Sequence, residues 1–344
     1  MRELAQDVLG GEEAWVVGGA VRDELLGRPV LDLDIATREP EPAAREYGRR
    51  SGGAPFPLSE RHGAWRVALD GGRTVDFTPL PHGIDADLLS RDFTINAIAE
   101  PLAGGDLHDP CGGREDLELR SIRAVTDTVF EDDPLRLLRA IRLEEELGFA
   151  LAPLTEELVR LHAGLAAAPS GERVLAELRR LRAAGYRRLD ELGVLAALGG
   201  SLDARLDRWD APDYRLVCAF GEGLARLPIS NDTRRFMRAL TRAARPADRS
   251  MRAIHRFRLA TEPWALEALA YVGGEESAEL VEEARDNDHP EPLLRGDELG
   301  LAPGPAVGLL LAEIEEERAV GTVRTREEAL ELVRRRAEQI REDG

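Results

Sequence analysis

Asp32 and Asp34, in Leu31-Asp32-Leu33-Asp34-Ile35, are the side chains of this sequence best placed to do chemistry. Apolar and acidic positions alternate, so in a strand both carboxylates leave one face while Leu33 enters the core. Two carboxylates roughly 7 Å apart along a strand can share hydrated Mg²⁺. Upstream, the apolar run Trp15-Val16-Val17 reads as a short strand, Gly18-Gly19 as a tight turn, and Ala20 to Leu26 as a helix. Such a turn leaves free N–H groups at a helix start, and a glycine lets a phosphate approach because no Cβ intervenes. Arg22 lies one turn into that helix. Taken singly, a Gly-Gly is usually just a turn and an Asp-x-Asp usually a solvated strand face. Together they describe a nucleoside triphosphate site, with backbone for phosphate and carboxylates for metal.

The segments GGAVRD and DLDIAT resemble the signature of the class II tRNA nucleotidyltransferase and bacterial poly(A) polymerase family, a branch of the polymerase-β-like nucleotidyltransferases. The resemblance implies that Asp32 and Asp34 bind catalytic Mg²⁺ and that Gly18, Gly19 and Arg22 contact the nucleotide. Further on, LLSRDFTINAIAE places Ile95, Ala97, Ile98 and Ala99 for packing and leaves Arg91, Asp92 and Asn96 as the polar set. It is similar to the family's Arg-Arg-Asp motif, whose second Arg and Asp contact triphosphate and ribose. Ser90 stands where the first Arg is expected, which leaves one phosphate or structural contact open.

Gly63 to Leu69 and Arg73 to Pro79 read as paired strands around the Asp70-Gly71-Gly72 turn. Asp76, between Val75 and Phe77, is either a third carboxylate near the metal, as in polymerase-β-like enzymes, or a solvent-facing strand residue. From Asp127 onward the pattern is helical. In FEDDPLRLLRAIRLEEELGF, Asp133 is a candidate N-cap with Pro134 at the first helical position, and Arg136, Arg139 and Arg142 share a face. An Arg stripe is commonly a solvated one. EDDPLRLLRAIR, however, resembles the family's neck-helix motif, which implies that Asp133 and Arg136 read the incoming base and that Arg139 and Arg142 extend a positive wall toward the nucleotide. Cytosine and adenine each present an amino donor beside a ring-nitrogen acceptor, complementary to a carboxylate and a guanidinium. Uracil and guanine present the opposite pattern. SGERVLAELRRLRAAG resembles a second neck helix, capped by Ser170. Near the end, Gly296-Asp297-Glu298-Leu299 and Pro303-Gly304-Pro305 before an amphipathic helix resemble the C-terminal part of tRNA nucleotidyltransferases.

Composition sets outer bounds. At 344 residues, with 43% apolar and 32% charged, the chain fits a soluble globular protein of two or three domains. No apolar run approaches the roughly 20 residues that span a bilayer, so no membrane partner is expected. The N-terminus carries acids where a targeting peptide is basic, which makes the cytoplasm the expected location. Two cysteines make neither a disulfide framework nor a four-ligand zinc site. The net charge of −19 argues against nonspecific nucleic-acid binding, though a local basic face can still meet RNA. All 46 basic residues are arginine, which reads as coding bias.

The expected fold class is α+β: a polymerase-β-like nucleotidyltransferase head with a mixed sheet (1–125), then an all-helical neck (126–200), body and tail (201–344). The resemblance implies addition of C and A to a tRNA lacking a complete 3′ CCA end, from CTP and ATP, without a nucleic-acid template. A poly(A) polymerase shares the head and neck, a small-molecule nucleotidyltransferase needs no long helical tail, and a noncatalytic RNA-binding module would be expected to lose a metal acid. Between VDFTPL and SRDFTINA the chain has only PHGIDADLL, where CCA-adding relatives carry a longer flexible loop that helps the site accept A. C addition is therefore expected to be robust and A addition much slower or absent, with a CC-adding enzyme that leaves the terminal A to a partner as the alternative to a complete CCA-adding one. Oligomeric state stays open.

Overall fold

A computed structural model describes residues 1–59, 63–289, 291–301 and 304–342; Pro303 of the Pro-Gly-Pro segment lies outside them. Two compact units follow one another, Met1–Gly200 and Ser201–Gly344. The first begins with α1 (Arg2–Leu9), β1 (Ala14–Val17), α2 (Gly19–Leu25), β2 (Asp32–Thr37), α3 (Pro40–Ser51), β3 (Ala54–Ser59), β4 (Ala64–Ala68), β5 (Thr74–Pro79), α4 (Gly83–Leu89) and β6 (Ala99–Pro101). The strands form one mixed sheet in the order β3-β4-β5-β2-β1-β6. β2 and β5 run parallel and the other neighbours antiparallel.

Alternation along the strands decides which face does what. Leu33 and Ile35 of β2, with Val75 and Phe77 of β5, point to one face and are buried there; Ala43, Ala44 and Tyr47 of α3 are buried too, with the Tyr47 and Phe77 rings 5.7 Å apart. The opposite face carries Asp32, Asp34 and Ala36 of β2 and Asp76 of β5. On that face Val17 and Ala36 pack with Leu80, Ile84, Leu88, Ala97 and Ala99, so α4 and the segment leading into β6 cover its apolar end. The acidic end is left open. Burial of Ile95, Ala97, Ile98 and Ala99 at 0% exposure agrees with the packing expected of FTINAIA.

The rest of this unit holds α5 (Gly113–Glu118), β7 (Ser121–Ile122), α6 (Val129–Asp132), α7 (Arg136–Leu147), β8 (Ala150–Leu151), α8 (Pro153–His162), α9 (Gly171–Arg180), α10 (Ala183–Glu191) and α11 (Val194–Ala197). It is mostly helical, but not wholly. β8 pairs in parallel with β7, so a short strand lies within the stretch expected to be helical throughout. The second unit is helical among its described residues: α12 (Pro212–Phe220), α13 (Asn231–Arg242), α14 (Met251–Thr261), α15 (Ala265–Val272), α16 (Ala278–Asp286), α17 (Pro305–Ala319) and α18 (Arg326–Glu342). Leu310 and Ile314 of α17 pack with Ala329, Leu332 and Val333 of α18, closing a small core of its own. Both cysteines are free thiols. No helix among the described residues is long and apolar enough to cross a membrane.

Candidate active site

A cavity of about 1160 Å³ opens over the acidic end of the sheet. Gly18, Gly19, Arg22, Asp32, Asp34, Asp76, Arg91, Asp92, Asn96, Asp133, Arg136, Arg139 and Arg142 all line it. Segments more than a hundred residues apart in sequence thus converge on one space.

The floor is β2, with Val17 at the end of β1 opposite Asp34 and Asp76 of β5 on its other side. Gly18 turns the chain from β1 into α2 with φ 73° and ψ −138°, a conformation open to glycine and very costly for other residues. Space is also short there. A Cβ on Gly18 would sit 2.7 Å from Arg91 Nη1 and 3.3 Å from Asp34 Oδ2.

The carboxylates differ in their surroundings. Asp32 is exposed and its Oδ1 accepts the Thr74 hydroxyl at 2.8 Å. Asp76 is buried and receives a two-pronged fork from Arg66 of β4, Nε and Nη2 each at 2.7 Å. Asp34 accepts no hydrogen bond among the described residues. Its pKa is pushed up to about 6, first by burial in the cavity wall and then by Asp76, with Arg91 opposing and Asp32 adding to the rise. A carboxylate crowded by two others and without a hydrogen-bond donor is suited to a cation. Among the described residues no three His, Cys, Asp or Glu side chains gather as a ligand set. Asp32, exposed, and Asp34, without a hydrogen-bond donor, could hold a divalent ion whose other positions go to water and phosphate oxygens, the usual habit of Mg²⁺.

One wall is a relay of polar side chains. Arg22, only 9% exposed, donates through Nη1 to Asn96 Oδ1 at 2.7 Å, and Asn96 Nδ2 donates to Asp92 Oδ1 at 3.0 Å. Asp92 Oδ2 accepts Arg139 Nε and Nη2 at 2.8 and 2.6 Å. The Asp92 carboxyl ends below its usual value: burial raises it, but Arg139, Asn96 and the Phe93 N–H outweigh that. Arg91 is braced by Asp87, one turn back at the end of α4, at 2.9 Å. The Ser90 hydroxyl donates to the Asp87 carbonyl, while the Ser90 carbonyl accepts Arg136 Nη2 at 2.7 Å. Where an Arg was expected, Ser90 thus contributes backbone to hold Arg136.

Asp133 takes the Leu135 N–H at 3.2 Å, as a cap does, but regular helix begins later than expected, at Arg136. Pro134 and Leu135 form the lead-in turn, because the Asp133 backbone is extended. Ser170 precedes α9, yet its side chain makes no capping hydrogen bond. Arg142 is 5% exposed, and its charge is matched by Glu177 at 2.6 Å and Glu146 at 2.7 Å. Removing one member of a buried pair leaves the other uncompensated, at a cost of about 3–5 kcal/mol. Arg142→Ala is accordingly expected to lower unfolding free energy in urea by about 3 kcal/mol. A loss under about 0.5 kcal/mol would mean the pair is solvated in practice.

Four residues that the motifs did not single out shape the site: Arg66 on Asp76, Asp87 on Arg91, and Arg173 and Glu177 of α9 on Asp133 and Arg142. The hairpin itself could have exposed the first, since Arg66 and Asp76 lie symmetrically about Gly71.

The model of the poly(A) polymerase head domain matches residues 14–81 and 72–123. An A-adding tRNA nucleotidyltransferase of Deinococcus radiodurans is 34% identical over 418 residues, covering 95% of this chain and 96% of that protein. The chain belongs to the class II tRNA nucleotidyltransferase family. A CC-adding tRNA nucleotidyltransferase of Geobacter sulfurreducens is 47% identical over 175 residues; the match covers 50% of this chain and 41% of that relative, less than half its length. The solved structure of the Bacillus stearothermophilus CCA-adding enzyme in complex with CTP superposes with a TM-score of 0.78 at 28% identity, covering 99% of this chain and 98% of that one. Polymerase-β-like nucleotidyltransferases generally use a divalent metal. Relatives of this tRNA nucleotidyltransferase family member thus include CC-, A- and CCA-adding enzymes.

Proposed function

We propose that this chain adds nucleotides to the 3′ end of a tRNA lacking a complete CCA terminus, taking CTP and, less readily, ATP, and releasing pyrophosphate. One observation carries the reading: Asp32, Asp34, Asp133 and Arg136 line the same cavity, which supports taking the first two for metal and the last two for the base of one nucleotide. The RNA 3′-hydroxyl would attack the α-phosphorus of the bound triphosphate. Asp32 and Asp34 would hold Mg²⁺, which when bound lowers the pKa of that hydroxyl and steadies the triphosphate. Arg91 and the Gly18-Gly19 backbone would hold phosphate, with Arg22, Asp92 and Asn96 fixing that wall around phosphate and ribose. The Asp133 carboxylate would accept the amino group of cytosine or adenine while Arg136 donates to the ring nitrogen. Arg139 and Arg142 would act mainly by holding Asp92 and α9 in place, since their charges are matched within the protein.

Preference for C over A rests on the segment from Pro81 to Leu89. Its middle is helix α4, pinned by buried Ile84 and Leu88, and it offers no long excursion over the cavity. Relatives differ in what they add, and this short, packed segment favours a CC-adding chain.

Incubation with each labelled NTP, Mg²⁺ and either tRNA lacking its 3′ end or an unstructured RNA tests the proposal. Extension of the tRNA with C supports it. Long A tracts on either RNA would identify a poly(A) polymerase, and binding of tRNA without incorporation a noncatalytic module. Asp133→Ala is expected to lower the CTP-over-UTP preference by about a hundredfold, the worth of one charge-assisted hydrogen bond, while tRNA affinity changes little. If UTP and GTP stay excluded and tRNA binding collapses, Asp133 is a helix cap or an RNA contact instead.

A further inference from the structure

Asp76 stands beside Asp34 in the sheet, yet its surroundings set it apart. The two are register partners on the parallel strands β2 and β5, and Arg66 of β4 is the register partner of Asp76 on the other side. Partners on neighbouring strands leave the same face about 5 Å apart, so Arg66, Asp76 and Asp34 form one row across the cavity that all three line. By position alone, Asp76 is a third carboxylate beside whatever Asp34 holds. Its oxygens, however, are taken. Arg66 Nε donates to Oδ1 and Nη2 to Oδ2, each at 2.7 Å, the two-pronged geometry in which a guanidinium grips a carboxylate most firmly. The side chains are 34% and 11% exposed, so water screens the pair only in part. Asp32 receives a single hydroxyl, and Asp34 no donor among the described residues.

A carboxylate engaged on both oxygens and neutralised by its partner is a poor ligand for a cation. The consequence falls on the substrate. Mg²⁺ demands near-octahedral oxygen coordination, and in phosphoryl-transfer sites it takes one or two carboxylates and leaves the other positions to phosphates and water. A third carboxylate would hold the ion more firmly before the triphosphate arrives, and would fill a position that a phosphate oxygen needs. We propose that Arg66 is a positioning residue that withholds Asp76 from the divalent ion, so that Asp32 and Asp34 hold the ion weakly until a nucleoside triphosphate supplies further oxygens. The inference rests on reading Asp32 and Asp34 as the metal acids. It predicts that loss of the fork tightens the metal and weakens the nucleotide, opposite changes that a loosened sheet would not produce.

The test titrates Mn²⁺, which also prefers oxygen ligands, into the whole chain without RNA, following free Mn²⁺ by its electron paramagnetic resonance signal. CTP binding is then measured at saturating Mn²⁺. Wild type is compared with Arg66→Gln, Arg66→Lys, the Arg66→Gln/Asp76→Asn double variant and Asp34→Asn. Arg66→Gln is expected to bind Mn²⁺ about tenfold more tightly and CTP about tenfold more weakly, the scale of one contact to a charged group. Arg66→Lys, which keeps the charge but not the fork, falls between Arg66→Gln and wild type. The double variant, which loses Arg66 together with the carboxylate it covers, matches wild type in both measurements. Mn²⁺ binding that is no tighter in Arg66→Gln, CTP binding that does not weaken, or an Arg66→Lys variant equal to wild type, which would reduce Arg66 to its charge, overturns the proposal. So does weaker Mn²⁺ binding by the double variant, which would make Asp76 a ligand in the wild-type protein. If Arg66→Gln does not fold, Arg66→Lys and the double variant still decide. Unchanged Mn²⁺ binding in Asp34→Asn overturns the metal reading itself, and the proposal with it.

Discussion

Asp34→Asn is expected to reduce nucleotide incorporation by about a thousandfold or more, the several kcal/mol a metal contributes to transition-state charge, while leaving the protein folded. The strand does not depend on this charge: β2 is anchored by Leu33 and Ile35, both on the other face. The ionised Asp34 is instead a burden in the metal-free protein, because burial and the neighbouring Asp76 and Asp32 push its pKa up to about 6. The sign follows from proton linkage. A carboxyl whose folded pKa exceeds its unfolded value of 3.8 binds more protons when folded, so its contribution to stability falls as pH rises from about 4 to 6. Asparagine cannot ionise, and the variant should therefore gain on wild type across that window. Melting temperatures of both proteins in chelator at pH 4, 5, 6 and 7 measure the gap. A gap that stays flat with pH would mean that burial and the neighbouring acids do not raise the Asp34 carboxyl; full incorporation by the variant at ordinary Mg²⁺ would remove Asp34 from the metal site.

Gly18→Ala should be nearly as damaging for a different reason. A side chain at φ 73°, ψ −138° is strained by about 1–3 kcal/mol. Its Cβ would also displace the Arg91 guanidinium, which stands 2.7 Å away, from its place beside Asp34. The long Arg side chain can move aside, so the protein folds, but the phosphate contact proposed for Arg91 is lost. We expect about a hundredfold loss of incorporation efficiency, as for other misplacements of about 1 Å in an active site. Gly27→Ala is the control. Gly27 also has a positive φ, 65°, yet nothing lies within 4 Å of its added Cβ. It should share a stability loss of about 1 kcal/mol and keep activity; equal activity losses in the two variants would mean that backbone strain, not Arg91, is responsible.

The site was legible where it is local. Alternation in Leu31–Ile35 correctly separates the acids from the core, and Gly-Gly after an apolar run marks the turn that Gly18 makes. FTINAIA announces its own burial through Ile95, Ala97, Ile98 and Ala99. What stayed hidden depends on how distant elements meet. The counterions of Asp92, Asp133 and Arg142 come from α7 and α9, and no local periodicity says that Glu177 will face Arg142 and not solvent. The Arg stripe of α7 illustrates this: three arginines on one face look alike in sequence. Yet Arg136 reaches the Ser90 carbonyl, Arg139 is locked onto Asp92, and Arg142 is buried in an ion pair. Regular helix starts at Arg136, two residues after the expected Pro134, because Asp133 caps a lead-in turn instead of the regular helix. Before its Gly296-Asp297-Glu298-Leu299 segment the second unit carried little signal beyond its helicity, since its ion pairs, such as Arg252–Glu316 and Arg258–Asp288, again join residues far apart.

The most direct test of the central claim is a single-turnover assay on tRNA lacking its 3′ CCA, and on tRNA ending in CC, with CTP alone, ATP alone and both, resolved to one nucleotide on a gel. The account predicts two additions with CTP on the first tRNA, and A addition to the second that is at least about tenfold slower than C addition, the scale of one lost contact; Asp32→Asn should make neither product. No extension of either tRNA by the folded wild-type protein with Mg²⁺ present, or extension that survives Asp32→Asn, would contradict it.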